Sequence, residues 1–210
     1  FTGSTAVGRK IGEICGRNLQ IPSLELGGKN PLVVLADADL ELALDGALWA
    51  AFGTGGQRCT SAGNLIVDRR VVSSFRGELV RRAKALKIGD PLDESVDYGP
   101  IINERFLERW LEQRAVGLSD GAELLLDGKR VVPGEEPVGF AGDASRGLYA
   151  TPRIFDKVRM GMRFAQEECF GPTVNIVEVD GLDEAIAAAN GTPYGLSSAV
   201  YTRDARAMLH

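Results

Sequence analysis

Two segments of this chain hold residues whose types and spacing could do chemistry together: ELGGKNP at 25–31 and GTGGQRCT at 53–60. Glu25 offers a carboxylate base and Cys59 a thiol nucleophile, a pair suited to covalent attack and to removing a proton from water. An ordinary cysteine is only a few per cent thiolate at neutral pH, and lowering its pKa from about 8.5 to about 7 takes roughly 2 kcal/mol of local stabilisation. Gly53, Gly55 and Gly56 leave the backbone unobstructed, so the turn amides of residues 55–59 and the Arg58 guanidinium are expected to contribute it. Cys15 and Cys169 read as packing cysteines. Lys29 reads as a partner of Glu25 or a surface charge.

Composition removes most rival chemistries. The only histidine is His210, the last residue, which argues against Ser-His, Cys-His and histidine-ligated metal mechanisms. A carboxylate is then the natural acceptor for a water proton. The three cysteines are far apart and form no CxxC unit, so no disulfide framework and no metal site is expected, and a reducing, cytoplasmic compartment fits. A net charge of −5, with basic residues interspersed among acids, argues against a nucleic-acid partner. The most apolar helical stretch, Leu40 to Phe52, is too short to cross a bilayer and reads as a core helix, so no membrane partner is expected either.

The elements that must position these residues alternate. Val7, Ile11 and Ile14 predict a helix that Ser4 or Thr5 can cap. Its positive end faces whatever binds near residues 2–4. Leu32 to Leu35 predicts a buried strand, and DADLE at 37–41 an Asp-capped helix running to about Phe52. Leu65 to Val67 predicts a second strand, followed by a helix bearing Val72, Phe75, Leu79, Ala83 and Leu86 on one face. A further helix begins after Asn103, with Phe106, Leu107, Trp110, Leu111 and Leu118 as its apolar stripe. Strands are also expected at Glu123–Leu126, Thr173–Val179 and Ser198–Tyr201, with a helix from about Leu182 to Ala189. Pro133 to Gly147 reads as a long surface loop. The fold class is therefore α/β, a largely parallel sheet with helices on both faces, with a site expected at the carboxyl ends of its strands. FTGST runs into a helical pattern with no initiator Met and no signal-peptide character, so the chain is expected to begin inside a larger protein.

FTGST at 1–5, ELGGKNP at 25–31, GTGGQRCT at 53–60, GDP at 89–91, YGP at 98–100, EECFGP at 167–172 and YGLSSAVYTRD at 194–204 occur in order along the chain. In that order and spacing they resemble the aldehyde dehydrogenase superfamily, and the resemblance covers essentially all of the chain. It implies oxidation of an aldehyde to a carboxylic acid with NAD or NADP through a cysteine thiohemiacetal and a thioester acyl-enzyme. Cys59 matches the nucleophile, and Glu25 the base that activates the hydrolytic water. Gly3, Ser4, Val7, Leu26, Glu168 and Phe170 match cofactor contacts, and the cofactor's positive charge would further favour the thiolate. Arg58 and Thr60 would line the substrate mouth, where Arg58 either favours an acidic aldehyde such as a semialdehyde or supports the loop.

The resemblance further implies that residues 1–27 end a dinucleotide-binding domain and 28–210 form a catalytic domain incomplete at its C-terminus. It also implies a homodimer or homotetramer for the complete protein. The family's second oxyanion donor, an upstream Asn, and most of its cofactor domain have no counterpart here, so the segment alone is expected to be inactive. Where the family pattern has Pro-Thr, this chain has Pro152-Arg153. The alternatives are the branch that passes its acyl group to coenzyme A, against which Glu25 counts, and a non-catalytic structural or binding relative.

Overall fold

A computed structural model describes residues 1–209; His210 lies outside the described residues. The chain opens with α1 (Thr5–Arg17), capped by Ser4, whose hydroxyl accepts the Val7 amide at 3.4 Å. β1 (Asn30–Val34) and α2 (Leu40–Phe52) follow, with Asp39 accepting the Leu42 amide at 3.2 Å as the cap of α2. β2 (Ala62–Asp68), α3 (Val72–Ala85) and α4 (Glu104–Ser119) come next, α4 being capped by Asn103. The remaining elements are β3 (Glu123–Leu126), β4 (Arg153–Asp156), α5 (Arg163–Gln166), β5 (Thr173–Val179), α6 (Gly181–Ala189), β6 (Ala199–Tyr201) and α7 (Ala205–Leu209).

The strands form one six-stranded sheet in the order β3-β4-β5-β2-β1-β6. Every neighbouring pair is parallel except β3–β4, an antiparallel edge. Both faces are covered, which is why the central strands are apolar at consecutive positions rather than alternate ones. Leu32, Val34, Leu65 and Val67 join the core under α2 and α3, while Val33, Leu35, Ile66 and Val177 join the core under α5 and α6.

β4 is the strand that the sequence pattern does not announce. It reads RIFD, with a charge at each end, yet all four residues are buried. Arg153 is satisfied by backbone carbonyls and Asp156 pairs with Arg76 at 2.9 Å, so charges that suggest a loop are held inside the sheet. The α4 stripe also differs from expectation. The buried positions are Leu107, Trp110, Gln113 and Gly117, whereas Leu111 and Leu118 are 38% and 40% exposed. Gly117 decides this, because a Cβ there would stand 2.6 Å from the Phe155 ring. Within 133–147, Ala144–Arg146 forms a 3-10 turn, and Ala141 bonds back to Ile88 and Asp90.

Candidate active site

The residues singled out for chemistry lie in the segments leading into β1, β2 and β5, and so gather at the amino ends of these parallel strands. This corrects the expectation of carboxyl ends. The segments that carry Glu25, Cys59 and Glu168 each precede their strand, and parallel pairing brings all three to one end of the sheet.

The segment that carries Cys59 is built by an abrupt turn at the end of α2. Thr54, Gly55 and Gly56 take φ of 56°, 64° and 67°, left-handed values that glycine adopts without steric cost. Gly56 is also a point of close approach, since a Cβ there would lie 2.3 Å from the Gly171 carbonyl oxygen. Gln57 ties the turn to the neighbouring loop, donating to the Pro100 carbonyl (3.1 Å) and accepting the Ile102 amide (2.9 Å). From the other side Asn30 donates to the carbonyls of Cys59 (2.7 Å) and Ser61 (2.8 Å), and its oxygen accepts the Ser197 amide (3.2 Å). Cys59 is a free, half-buried thiol in this frame. Among the described residues its backbone amide has no acceptor, which leaves that donor free for a developing oxyanion.

Glu25 is held by pairing with the chain start. Its amide donates to the Phe1 carbonyl and its carbonyl accepts the Gly3 amide, both at 2.9 Å, which sets Thr2 to Ser4 and the N-terminus of α1 beside it. The first turn of α1 contains no acid. Leu26 packs on Gly8, where a Cβ would meet its methyl at 2.5 Å. The glycines that follow make room for the site itself. A Cβ on Gly27 would stand 2.5 Å from a Glu168 carboxylate oxygen, and one on Gly28 would stand 2.7 Å from the Cys59 carbonyl oxygen. The Gly28 amide donates to Glu168 Oε1 at 3.2 Å.

In the segment before β5, the Glu168 carbonyl accepts from Arg109 (3.0 Å) and Gln113 (3.2 Å) of α4. Phe170 adopts φ of 53°, a conformation that costs a bulky residue energy and recurs at functional sites. Its ring lies 5.4 Å from that of Phe106. Cys169 is buried and desolvation raises its pKa, in keeping with a packing role. Lys29, in contrast to the readings offered for it, neither pairs with Glu25 nor reaches the surface. It is 2% exposed, its ammonium stands 5.0 Å from the Phe164 ring centroid, and burial lowers its pKa to about 8.

Glu25, Cys59, Gly3, Ser4, Leu26, Glu168, Phe170, Arg58 and Thr60 all line one cleft of about 620 Å³. Val7 does not; it sits exposed on α1 with its amide on Ser4. Arg58 reaches the cleft, but its guanidinium lies 4.8 Å from the Trp49 ring centroid and donates to the Trp49 carbonyl, an arrangement that supports the loop. Gln57, Arg105, Phe106 and Arg109 also line it and were not anticipated as site residues. Gln57 stands inside a motif already singled out, whereas the α4 residues carry no local signal beyond helix periodicity. Among the described residues no group of three or more His, Cys, Asp or Glu could hold a metal, and no helix is long and apolar enough to cross a membrane.

The cleft's donor set suits a dinucleotide. Free amides at the N-terminus of α1 suit a phosphate, the Glu168 carboxylate can accept from sugar hydroxyls, and Phe170 offers an apolar face. Comparison with known proteins gives the family. A family-wide sequence profile described as the Aldehyde dehydrogenase family matches residues 1–210. The chain is 38% identical over 209 residues to the alpha-ketoglutaric semialdehyde dehydrogenase of Bacillus subtilis, an alignment covering 100% of this chain and 41% of that protein. Among solved structures, the NAD-dependent aldehyde dehydrogenase of Sinorhizobium meliloti superposes with a TM-score of 0.90 at 38% identity, covering 100% of this chain and 39% of that one. The betaine aldehyde dehydrogenase of Staphylococcus aureus in complex with NAD+ also gives a TM-score of 0.90, at 32% identity, covering 99% of this chain and 39% of that one. The chain thus spans about two-fifths of the length of these relatives. Matched over all 210 residues, in sequence and in the arrangement of its sheet, the chain belongs to the aldehyde dehydrogenase family.

Proposed function

We propose that this chain supplies the nucleophile and the base of an NAD(P)+-dependent oxidation of an aldehyde to a carboxylic acid. The observation that carries the reading is that Cys59 and Glu25, from different loops, line one cleft together with the N-terminus of α1 and Glu168. The Cys59 thiolate attacks the aldehyde carbon, forming a C–S bond while the carbonyl electrons move to oxygen. The Cys59 amide donates to that oxyanion. The N-terminus of α1 and the Glu168 carboxylate would hold the pyrophosphate and a ribose of an oxidised nicotinamide cofactor, which when bound would supply the acceptor for the hydride lost from this carbon. Collapse of the oxyanion leaves a thioester on Cys59. Glu25 then takes a proton from water as the water oxygen adds to the thioester carbonyl, and cleavage of the C–S bond releases the acid and restores the thiolate.

The bound NAD+ of the Staphylococcus aureus relative supports NAD as the cofactor. A semialdehyde is the substrate class best supported, by the name of the Bacillus subtilis relative and by Arg105 and Arg109, which add positive charge to the cleft. We also propose a domain boundary near residue 27, because residues 1–27 contribute no strand to the six-stranded sheet, whose first strand in the chain begins at Asn30.

Rapid-mixing measurements on the full-length protein test the assignment. Cys59→Ser should abolish NADH formation. Glu25→Gln should retain a burst of about one NADH per site and then turn over at least about a hundredfold more slowly, because only the hydrolytic step needs the base. An unchanged steady-state rate in Glu25→Gln would remove Glu25 from this role.

A further inference from the structure

Arg153 opens β4 and is 0% exposed, yet the partners of its guanidinium are backbone carbonyls rather than a carboxylate. Nη1 donates to the Trp110 carbonyl at 2.7 Å and Nη2 to the Gly128 carbonyl at 3.0 Å, while Nε has no partner. The guanidinium carbon stands 3.8 Å from the Trp110 ring centroid. Burial lowers its pKa only to about 10, so it stays charged at neutral pH. The carboxylate that acts on it, Asp127, is hydrogen-bonded to Arg114 instead, and burying a cation without a bonded counter-charge is a poor way to stabilise a core, where an apolar side chain of similar volume does as well or better. The guanidinium provides a rigid, planar fork with fixed donor directions.

What the fork grips is Trp110, and Trp110 grips the segment leading into β5. Its Nε1 donates to Thr173 Oγ1 at 2.8 Å, and its Cδ1 fills the space where a Cβ on Gly171 would lie, 2.6 Å away. The Arg153 amide donates to the Pro172 carbonyl at 2.8 Å. On either side of Trp110 in α4, Arg109 and Gln113 donate to the Glu168 carbonyl.

We propose that Arg153 is a positioning residue for the cofactor side of the cleft: by clamping Trp110 between β4 and Gly128 it fixes residues 168–172, and with them the Glu168 carboxylate and the left-handed Phe170. This rests on the reading of those two residues as dinucleotide contacts.

The test compares Arg153→Met, which keeps much of the volume but has no donor, and Arg153→Lys, which keeps a charge but not the fork, in the full-length protein. In Arg153→Met the KM for NAD+ should rise about five- to tenfold with kcat within about threefold. The amides of residues 168–171 should exchange with deuterium about tenfold faster, those of 57–61 should not change, and Arg153→Lys should fall between. A lower Tm with both KM and exchange at 168–171 within about twofold of wild type would overturn the proposal, leaving Arg153 a packing residue. If Arg153→Met does not fold, Arg153→Lys carries the same comparison. A wild-type protein without NAD+-dependent activity would fail the functional reading, whereas exchange at 168–171 would still decide the clamp.

Discussion

Asn30 connects the chemistry to its scaffold at the scale of one residue. It is 4% exposed and joins three separate motifs, through the carbonyls of Cys59 and Ser61 and the amide of Ser197. Asn30→Ala removes the two donations that hold the Cys59 turn. A displacement of about 1 Å at a reacting atom costs on the order of a hundredfold, so kcat/KM should fall by about ten- to a hundredfold while the far-UV spectrum is unchanged. Loss below about twofold would mean that the turn holds itself. Lys29 gives a prediction whose sign is fixed by burial. Its pKa falls from 10.5 to about 8 on folding, so the folded state bears the cost of a buried charge below about pH 8. Between pH 8 and 10.5 the unfolded chain still binds the proton that the folded chain has released, and stability rises with pH. Relative to Lys29→Met, the wild type should therefore gain about 3 kcal/mol between pH 7 and pH 11, read from urea denaturation across that range. A difference that does not vary with pH would show that Lys29 is not desolvated.

At the scale of an element, the turn that carries Cys59 has the tightest constraint. Gly56 combines a φ of 67° with the 2.3 Å that would separate its Cβ from the Gly171 carbonyl oxygen. Gly56→Ala should therefore cost about 2 kcal/mol or more, and it should also displace the 168–171 segment on which the turn rests. Urea denaturation checks the first effect and the alkylation rate of Cys59 the second. A stable variant with wild-type thiol reactivity would show that the turn relaxes locally. The starts of α1, α2 and α4 were legible because capping is a local rule, a short polar side chain meeting an amide three residues later, and the structure settles the caps as Ser4, Asp39 and Asn103. β4 was not legible, since its charged ends are satisfied by Trp110, Gly128 and Arg76, all distant in sequence. The buried face of α4 was only half legible, because periodicity proposes apolar positions and the Gly117–Phe155 contact selects among them.

For the whole molecule, the cleft is assembled from the chain start, three pre-strand segments and α4. α1 and the residues after it leave Ile14, Leu19 and Ile21 at 59%, 96% and 99% exposure, and the chain spans 41% of the length of its Bacillus subtilis relative. On the proposed mechanism, and with the second oxyanion donor that the family resemblance places upstream, the 210 residues alone are expected to show less than about 1% of the dehydrogenase rate of a longer chain that carries that donor, since loss of one oxyanion donor costs about two to three orders of magnitude. NADH formation by the isolated chain at a rate comparable to that of the full-length protein would contradict this.

The sequence by itself determined the α/β class, the strands that are apolar throughout, the capped helices, and Cys59 and Glu25 as the reactive candidates. These follow from local rules: periodicity, capping, glycine-rich turns, and the chemistry available to a chain whose single histidine is its last residue. Only the tertiary structure decided that the site lies at the amino ends of the strands, that Gly27 and Gly28 make room for Glu168 and Cys59, and that Arg58 turns to Trp49. It likewise decided that Lys29 and Arg153 are buried cations. Each of these depends on which distant segment fills a given space. Close packing settles that only when the whole sheet and its covering helices are assembled.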